Sequence, residues 1–210
     1  MTDDLPDREV IFAAFADVLA SGNWRGIEDE GFAMAAGLSL STYRRLVGGK
    51  YELPRAFGRE ADATMLEDIA IDVSEPPRDR LFEVVMARFD ALHPWREGLQ
   101  ELAKAAPRDP LLVASCVAAL GTATGTILDA AKIPSGGVLG LVRRQGLSAG
   151  YVTVARAFLK DESDDMGPTM AALERWLDQV TPLAERFLKF KDPLPVEDGL
   201  AAPASVSAQV

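Results

Sequence analysis

An all-α fold is predicted for this 210-residue chain by three observations. Apolar residues recur at helical spacing from end to end, no segment alternates apolar and polar side chains for long enough to make a strand, and the periodic stretches stop at Gly, Ser and Pro clusters. A composition of 48% apolar and 26% charged residues suits one globular domain, or a small domain fused to a medium one. It excludes collagen-like, disulfide-stapled and wholly disordered classes.

The first helix is marked by Val10, Ile11, Ala14, Phe15, Val18 and Leu19, a stripe that ends at Ser21-Gly22-Asn23. The second is short, from Glu28 to Ala36. Its acidic first turn suits the positive end of a helix dipole, and Gly37 supplies the residue past its end. Ser39 is an N-cap for a third short helix that reaches Val47 and stops at Gly48-Gly49. A longer helix follows Lys50, carries Leu53, Phe57, Met65, Leu66 and Ile69, and ends before Ser74-Glu75-Pro76-Pro77. Further helices are expected over 77–92, 95–106, 110–132, 137–160 and 168–190, the last kinked or broken near Gln179 because Pro182 cannot donate to the ladder. The uncharged stretch from Leu111 to Leu128 is diluted by hydroxyls and glycines and keeps a helical stripe, so it reads as a buried central helix and not a membrane span. The tail, 191–210, rich in Pro, Ala and Ser, is expected to be disordered.

Net charge is −10 with a pI near 4.7, which argues against nucleic-acid binding through overall charge and makes local distribution decisive. Met1 to Met34 carries a net −6, whereas Ala35 to Arg59 carries +4. That basic segment contains the corner Ala36-Gly37-Leu38-Ser39 between two short helices, the pattern of a helix-turn-helix in which the second helix is laid into a major groove. The candidate DNA-binding residues are Ser39, Ser41, Thr42, Tyr43, Arg44, Arg45 and Lys50. Small hydroxyls approach phosphates closely, Tyr43 reaches the backbone, the arginines supply charge or bidentate guanine contacts, and Lys50 reaches a phosphate. The competing reading is that these bases merely solvate a helix face.

Trp24 through Leu53, above all Ala36-Gly37-Leu38-Ser39, Thr42, Arg45, Lys50 and Leu53, resembles the TetR family of bacterial one-component regulators. The resemblance implies double-stranded operator DNA as a partner, a homodimer, an N-terminal helix-turn-helix DNA-binding domain (1–52), and a C-terminal helical ligand-binding and dimerisation domain (53–190). The chain departs from the family's usual aromatic at Arg44, its Phe at Val47 and its Thr at the start of the second helix. Glu28, Asp29 and Glu30 put negative charge there instead. A second stretch, Arg143 to Tyr151 with Phe158 to Asp165 and Leu173-Glu174-Arg175, is similar to the TetR-like lipid-binding proteins of coenzyme Q biosynthesis. That likeness implies an alternative: a lipid-binding accessory protein with a vestigial helix-turn-helix. Those proteins end in an amphipathic membrane-seeking helix, and this tail has no basic amphipathic pattern to serve as one.

Apolar walls with a few polar points make Phe82, Met86, Phe89, Trp95, Cys116, Leu120, Thr124 and Tyr151 the candidate pocket for a small hydrophobic or lipid-like ligand, although the same residues fill a closed core equally well. Gly146 and Gly150 let another helix approach closely, and with Trp176, Leu177 and Val180 they are the candidate dimer seam, extended by Leu173 and Phe187. Other constellations read as structural. His93, the lone histidine, has no partner group for base catalysis; Cys116 is packing or pocket wall; and Asp161-Glu162-Ser163-Asp164-Asp165 lacks the alternation of a calcium loop and reads as a solvated loop. A non-enzymatic, cytoplasmic protein without metal, cofactor or integral membrane association is expected, since the acidic start has no targeting pattern.

Overall fold

The computed structural model describes residues 6–188, and among these it contains nine α-helices, three short 3-10 turns and no strand. The helices are α1 (Arg8–Ala20), α2 (Asp29–Ala35), α3 (Leu40–Leu46), α4 (Leu53–Asp68), α5 (Pro77–Leu92), α6 (Arg96–Ala105), α7 (Pro110–Ala130), α8 (Gly137–Phe158) and α9 (Gly167–Leu188). The tail expected to be disordered and the side chain of Phe187 lie outside the described residues.

Capping chemistry sets several starts. Asp7 accepts Glu9 N–H at α1, Ser39 accepts Thr42 N–H at α3, and Asp109 accepts from both Leu111 and Leu112 at α7. Pro77 and Pro110 sit at N-terminal helical positions, where a missing N–H costs nothing. Past α2, Gly37 takes φ +66, the left-handed conformation that ends a helix cheaply only for glycine.

Pro182 does not break α9, which runs on to Leu188; this corrects the break expected near Gln179. The carbonyl left without its N–H is that of Asp178, an exposed residue, so water satisfies it at little cost. Thr181 also donates to the Leu177 carbonyl at 2.7 Å within the same turn.

Packing couples the first helix to the middle of the chain. α1 lies against α6, α4 against α5 and α7, and α8 against α9. Gly98 permits the first contact: a Cβ there would sit 2.6 Å from the Ala16 carbonyl oxygen. Edge-on aromatic pairs run from Phe15 to Phe12 at 5.6 Å and Phe12 to Phe57 at 5.3 Å, and Phe57 meets Trp95 at 5.3 Å. One core is therefore continuous across position 52, where the sequence places a domain boundary.

Helix α7 is less buried than its composition suggests. Only 33% of its most apolar window is covered, and Leu111, Val113 and Val117 stand exposed. By length and composition alone it is the one helix among the described residues apolar enough to cross a membrane.

Candidate nucleic-acid interface and ligand cavity

In the α2–α3 unit, one carboxylate holds the corner. Asp29 Oδ1 accepts the Lys50 N–H at 2.8 Å, while Oδ2 pairs with Arg44 Nη2 at 2.9 Å, so a single side chain ties α2 both to α3 and to the turn that follows it. Its position in the acidic trio Glu28, Asp29 and Glu30 gave no hint of this role. Ser39, Ser41, Arg44 and Arg45 are exposed and Thr42 is half-buried. The Ser39 hydroxyl lies 2.9 Å from both the Ser41 and Thr42 hydroxyls, and Arg45 Nη2 donates to Thr42 Oγ1 at 3.2 Å.

Two candidate DNA contacts are placed differently by the structure. Tyr43 is fully buried, stacked on Phe32 at 6.1 Å and edge-on to Phe15 at 5.6 Å. Its hydroxyl is buried without a hydrogen-bond partner, and burial, then the nearby Asp29 carboxylate, pushes the phenol well above its usual range. The expected backbone contact is corrected on this ground: at helical spacing, Tyr43 falls on the core face of α3. Lys50 does not stand free either. Its ammonium donates to the Ile27 carbonyl at 2.9 Å and the Trp24 carbonyl at 3.3 Å, and it lies 5.2 Å from the centre of a Trp24 ring.

Asp109 joins this module to α7. Besides capping α7 through Oδ1, it accepts from Trp24 Nε1 at 2.8 Å and Tyr51 Oη at 3.1 Å through Oδ2. The Trp24 hydrogen bond leads the contacts that hold the Asp109 carboxyl below its ordinary range. Ser115, nearly two turns further along α7, donates to the Tyr51 carbonyl. Sequence separation of 85 residues hides the Trp24–Asp109 pairing from any local reading.

A cavity of about 570 Å³ opens among α4 to α8, within the usual range for small-molecule sites. Of the eight candidate pocket residues, Phe89, Cys116, Leu120 and Tyr151 line it. The other four do not, a correction with a reason in each case. Trp95 is packed between Phe12 and Phe57, and Met86 belongs to the core. Thr124 is wholly buried and turns its hydroxyl back to the Leu120 carbonyl at 3.0 Å, while Phe82 borders a polar depression with Arg78 and Glu174. Pro54, Phe57, Leu99, Leu102 and Val152 line the cavity and were not anticipated; helical periodicity marks them as apolar but not as facing a void.

Polar groups on the cavity wall are few. Arg88, buried, donates through Nε to Asp62 Oδ1 at 2.7 Å and through Nη1 to the Tyr151 hydroxyl. Burial raises the Tyr151 phenol although Arg88 opposes it, and burial alone raises the Cys116 thiol, which leaves both protonated near neutral pH.

A second apolar opening of about 300 Å³ lies between α8 and α9, lined by Gly146, Trp176, Leu177 and Val180 among others. Gly150 is absent from it. A Cβ on Gly150 would fall 1.9 Å from the Trp176 ring, so this glycine serves the contact between α8 and α9 of one chain, which corrects its assignment to the dimer seam. Leu177, 1% exposed, likewise faces the core, whereas Gly146 has open space around it. Val138, Leu141, Val142 and Leu183 extend the exposed apolar surface on these two helices.

In the acidic loop after α8, Glu162, Asp164 and Asp165 are exposed, as expected of a solvated loop, but Asp161 departs from that expectation. Asp161 is 2% exposed and accepts four hydrogen bonds, from the N–H and hydroxyl of Ser163 and of Thr169, at 2.5–3.1 Å. Burial works against its charge, yet these hydrogen bonds hold its carboxyl at about 2. His93 sits in the 3-10 turn after α5, with Nε2 3.5 Å from Arg96 Nη1.

No protein-family model matches the chain, and no curated protein matches it in sequence. Solved structures do match. A TetR transcriptional regulator from Nitrosomonas europaea ATCC 19718 superposes with a TM-score of 0.62 at 20% identity, covering 83% of this chain and 97% of that one. A TetR transcriptional regulator from Rhodococcus sp. RHA1 gives 0.56 at 15% identity, covering 82% and 93%. A tetR-family transcriptional regulator from Streptomyces coelicolor gives 0.52 at 17% identity, covering 88% and 87%. The chain has the TetR-like all-α fold.

Proposed function

We propose that this protein, which has the TetR-like fold, is a cytoplasmic one-component transcriptional regulator that binds operator DNA as a homodimer and responds to a small hydrophobic ligand. The observation that carries the reading is the α2–α3 corner. It is braced by Asp29, and it leaves the Ser39, Ser41, Arg44 and Arg45 side chains exposed on a fold shared with three named regulators. Apolar surface on α8 and α9 supports two-fold association, because Val138, Leu141, Val142 and Leu183 form a patch that water solvates poorly. Control requires the ligand to bind one arrangement of the two reading helices better than another. The Asp109 and Ser115 contacts give the cavity helix α7 a direct hold on Trp24 and Tyr51 beneath the reading module.

Fluorescence anisotropy on a DNA fragment upstream of the protein's own gene tests this reading. Retention at low salt that weakens steeply with added salt is expected, and Arg45→Ala should weaken binding without changing the fold. Absence of retention at low salt would overturn the regulator.

One observation favours a second reading, the lipid-binding accessory protein. Tyr43 and Lys50 are engaged inside the module and Arg44 is paired with Asp29, which leaves few unengaged groups to meet phosphates on α3. Native mass spectrometry of freshly purified protein separates the two: a co-purifying apolar lipid with no DNA retention supports the second.

A further inference from the structure

The walls of the large cavity carry a chemical preference. Arg88, Cys116, Tyr151 and Arg156 are the polar or charged side chains that line it, and no Asp or Glu is among the lining residues. Nothing there would compensate a cationic ligand. Arg88 is the inner cation, but its charge is already matched by Asp62 at 2.7 Å, a pair whose side chains are only 4% and 11% exposed. Three of its five N–H donors are also engaged, Nε on Asp62, Nη1 on Tyr151 and Nη2 3.4 Å from the Gly58 carbonyl. An anion placed beside this neutral pair would lose its hydration without gaining an uncompensated partner charge, and the other lining cation, Arg156, is exposed, so water screens its charge.

Tyr151 is different. A phenolic hydroxyl has one proton to donate besides its acceptor capacity, and here the oxygen already accepts from Arg88. The proton has no acceptor among the described residues, although the side chain is 8% exposed and belongs to the cavity wall. Accepting from a guanidinium polarises the O–H and strengthens it as a donor. Phe89 lies 5.0 Å from the Tyr151 ring at an interplanar angle of 12°, so the donor sits at the edge of a flat aromatic wall.

We infer that the Arg88–Tyr151 corner is a subsite for a neutral oxygen acceptor, so that the cavity takes an apolar molecule bearing a carbonyl, with that oxygen accepting from the Tyr151 hydroxyl. The inference rests on the reading of the cavity as a ligand site, and it adds the polar end of the ligand to that reading. A buried donor gains a partner, the apolar walls take the body of the molecule, and no charge is buried.

Three probes of one ten-carbon skeleton test it: butylbenzene, butyrophenone and 4-phenylbutyrate, each measured by equilibrium dialysis against the full chain and its Tyr151→Phe variant. Butyrophenone should bind the unmodified protein more tightly than 4-phenylbutyrate. Tyr151→Phe should weaken butyrophenone about 3- to 10-fold and leave butylbenzene within about twofold. The carbonyl stretch of bound, carbon-13-labelled butyrophenone should lie at lower wavenumber in the unmodified protein than in the variant. Equal effects of Tyr151→Phe on ketone and hydrocarbon would overturn the inference alone, as would tighter binding of the acid than of the ketone by the unmodified protein, a comparison that needs no variant. Failure of all three probes to bind the unmodified protein would overturn the cavity as a ligand site, and the inference with it.

Discussion

The α2–α3 module and the α8–α9 pair are both built from helices joined by short turns, but they are held by opposite means. In the first, ionic and hydrogen-bonding side chains bridge the elements: Asp29 ties α2 to Arg44 and Lys50, Lys50 ties two carbonyls, and Asp109 ties Trp24 and Tyr51 to α7. In the second, contact is made by shape, with Trp176 seated against Gly150, and an apolar opening of about 300 Å³ is left beside it. Directional bonds fix angles, which suits a unit that must present one helix rigidly. Apolar contact is non-directional and leaves surface that a second apolar object can cover.

The largest effect expected from this comparison is at Gly150. Gly150→Ala should cost about 3 kcal/mol in urea unfolding, because its Cβ would enter the Trp176 ring and α8 and α9 would have to separate. Gly146→Ala, one turn earlier, meets nothing within 4 Å and should stabilise by roughly 0.5–1 kcal/mol through helix propensity. Equal responses at the two glycines would break the assignment of Gly150 to internal packing.

Asp161 is the polar exception at the α8–α9 end. Asp161→Ala should cost about 2 kcal/mol by leaving Ser163 and Thr169 donors unmatched. Its carboxyl is depressed to about 2, so its stabilising contribution is complete above the ordinary carboxylate range near pH 4 and is lost as pH falls through about 2. Acid unfolding followed by circular dichroism should therefore shift to higher pH in other variants of this loop only if they disturb these hydrogen bonds. Ser163→Ala is the direct check.

Arg80 sharpens the contrast from the other side. It is 2% exposed on α5, and its Nε and Nη1 are buried without hydrogen-bond partners. Arg80→Met should raise the thermal midpoint, by an amount equivalent to roughly 1–2 kcal/mol, since two buried nitrogens without acceptors are replaced by a side chain that packs. A fall would show that the guanidinium has a partner that matters. The smallest change is expected at Tyr43→Phe, which removes a hydroxyl that bonds nothing. Stability should stay level or rise by up to about 1 kcal/mol, and any DNA affinity should be unchanged. A loss of affinity would restore Tyr43 as a DNA contact.

Much of the helix order was legible because it depends on local rules. Ser39, Gly37 and the Pro77 and Pro110 starts act within one turn of where they stand, and the resemblance of Trp24 to Leu53 to a known family lies in a continuous stretch of chain. The candidate sites were half legible. Phe89, Cys116, Leu120 and Tyr151 were recognised as apolar wall, but Trp95, Met86 and Thr124 belong to the same periodic pattern and face filled space.

By itself, then, the sequence determined the all-α class, the glycine corner between α2 and α3 and the helix starts, because helix spacing, capping and backbone conformation are properties of neighbours along the chain. Tertiary structure alone decided that Tyr43 is core and Lys50 a clamp, that Asp109 holds Trp24 across 85 residues, that Gly150 is filled by Trp176 while Gly146 stays open, and that Arg88 meets Asp62 and Tyr151 at one corner of a cavity. Each of these depends on which helix face meets which, and the rotation of one helix against another is set by the packing of distant side chains that no local pattern encodes.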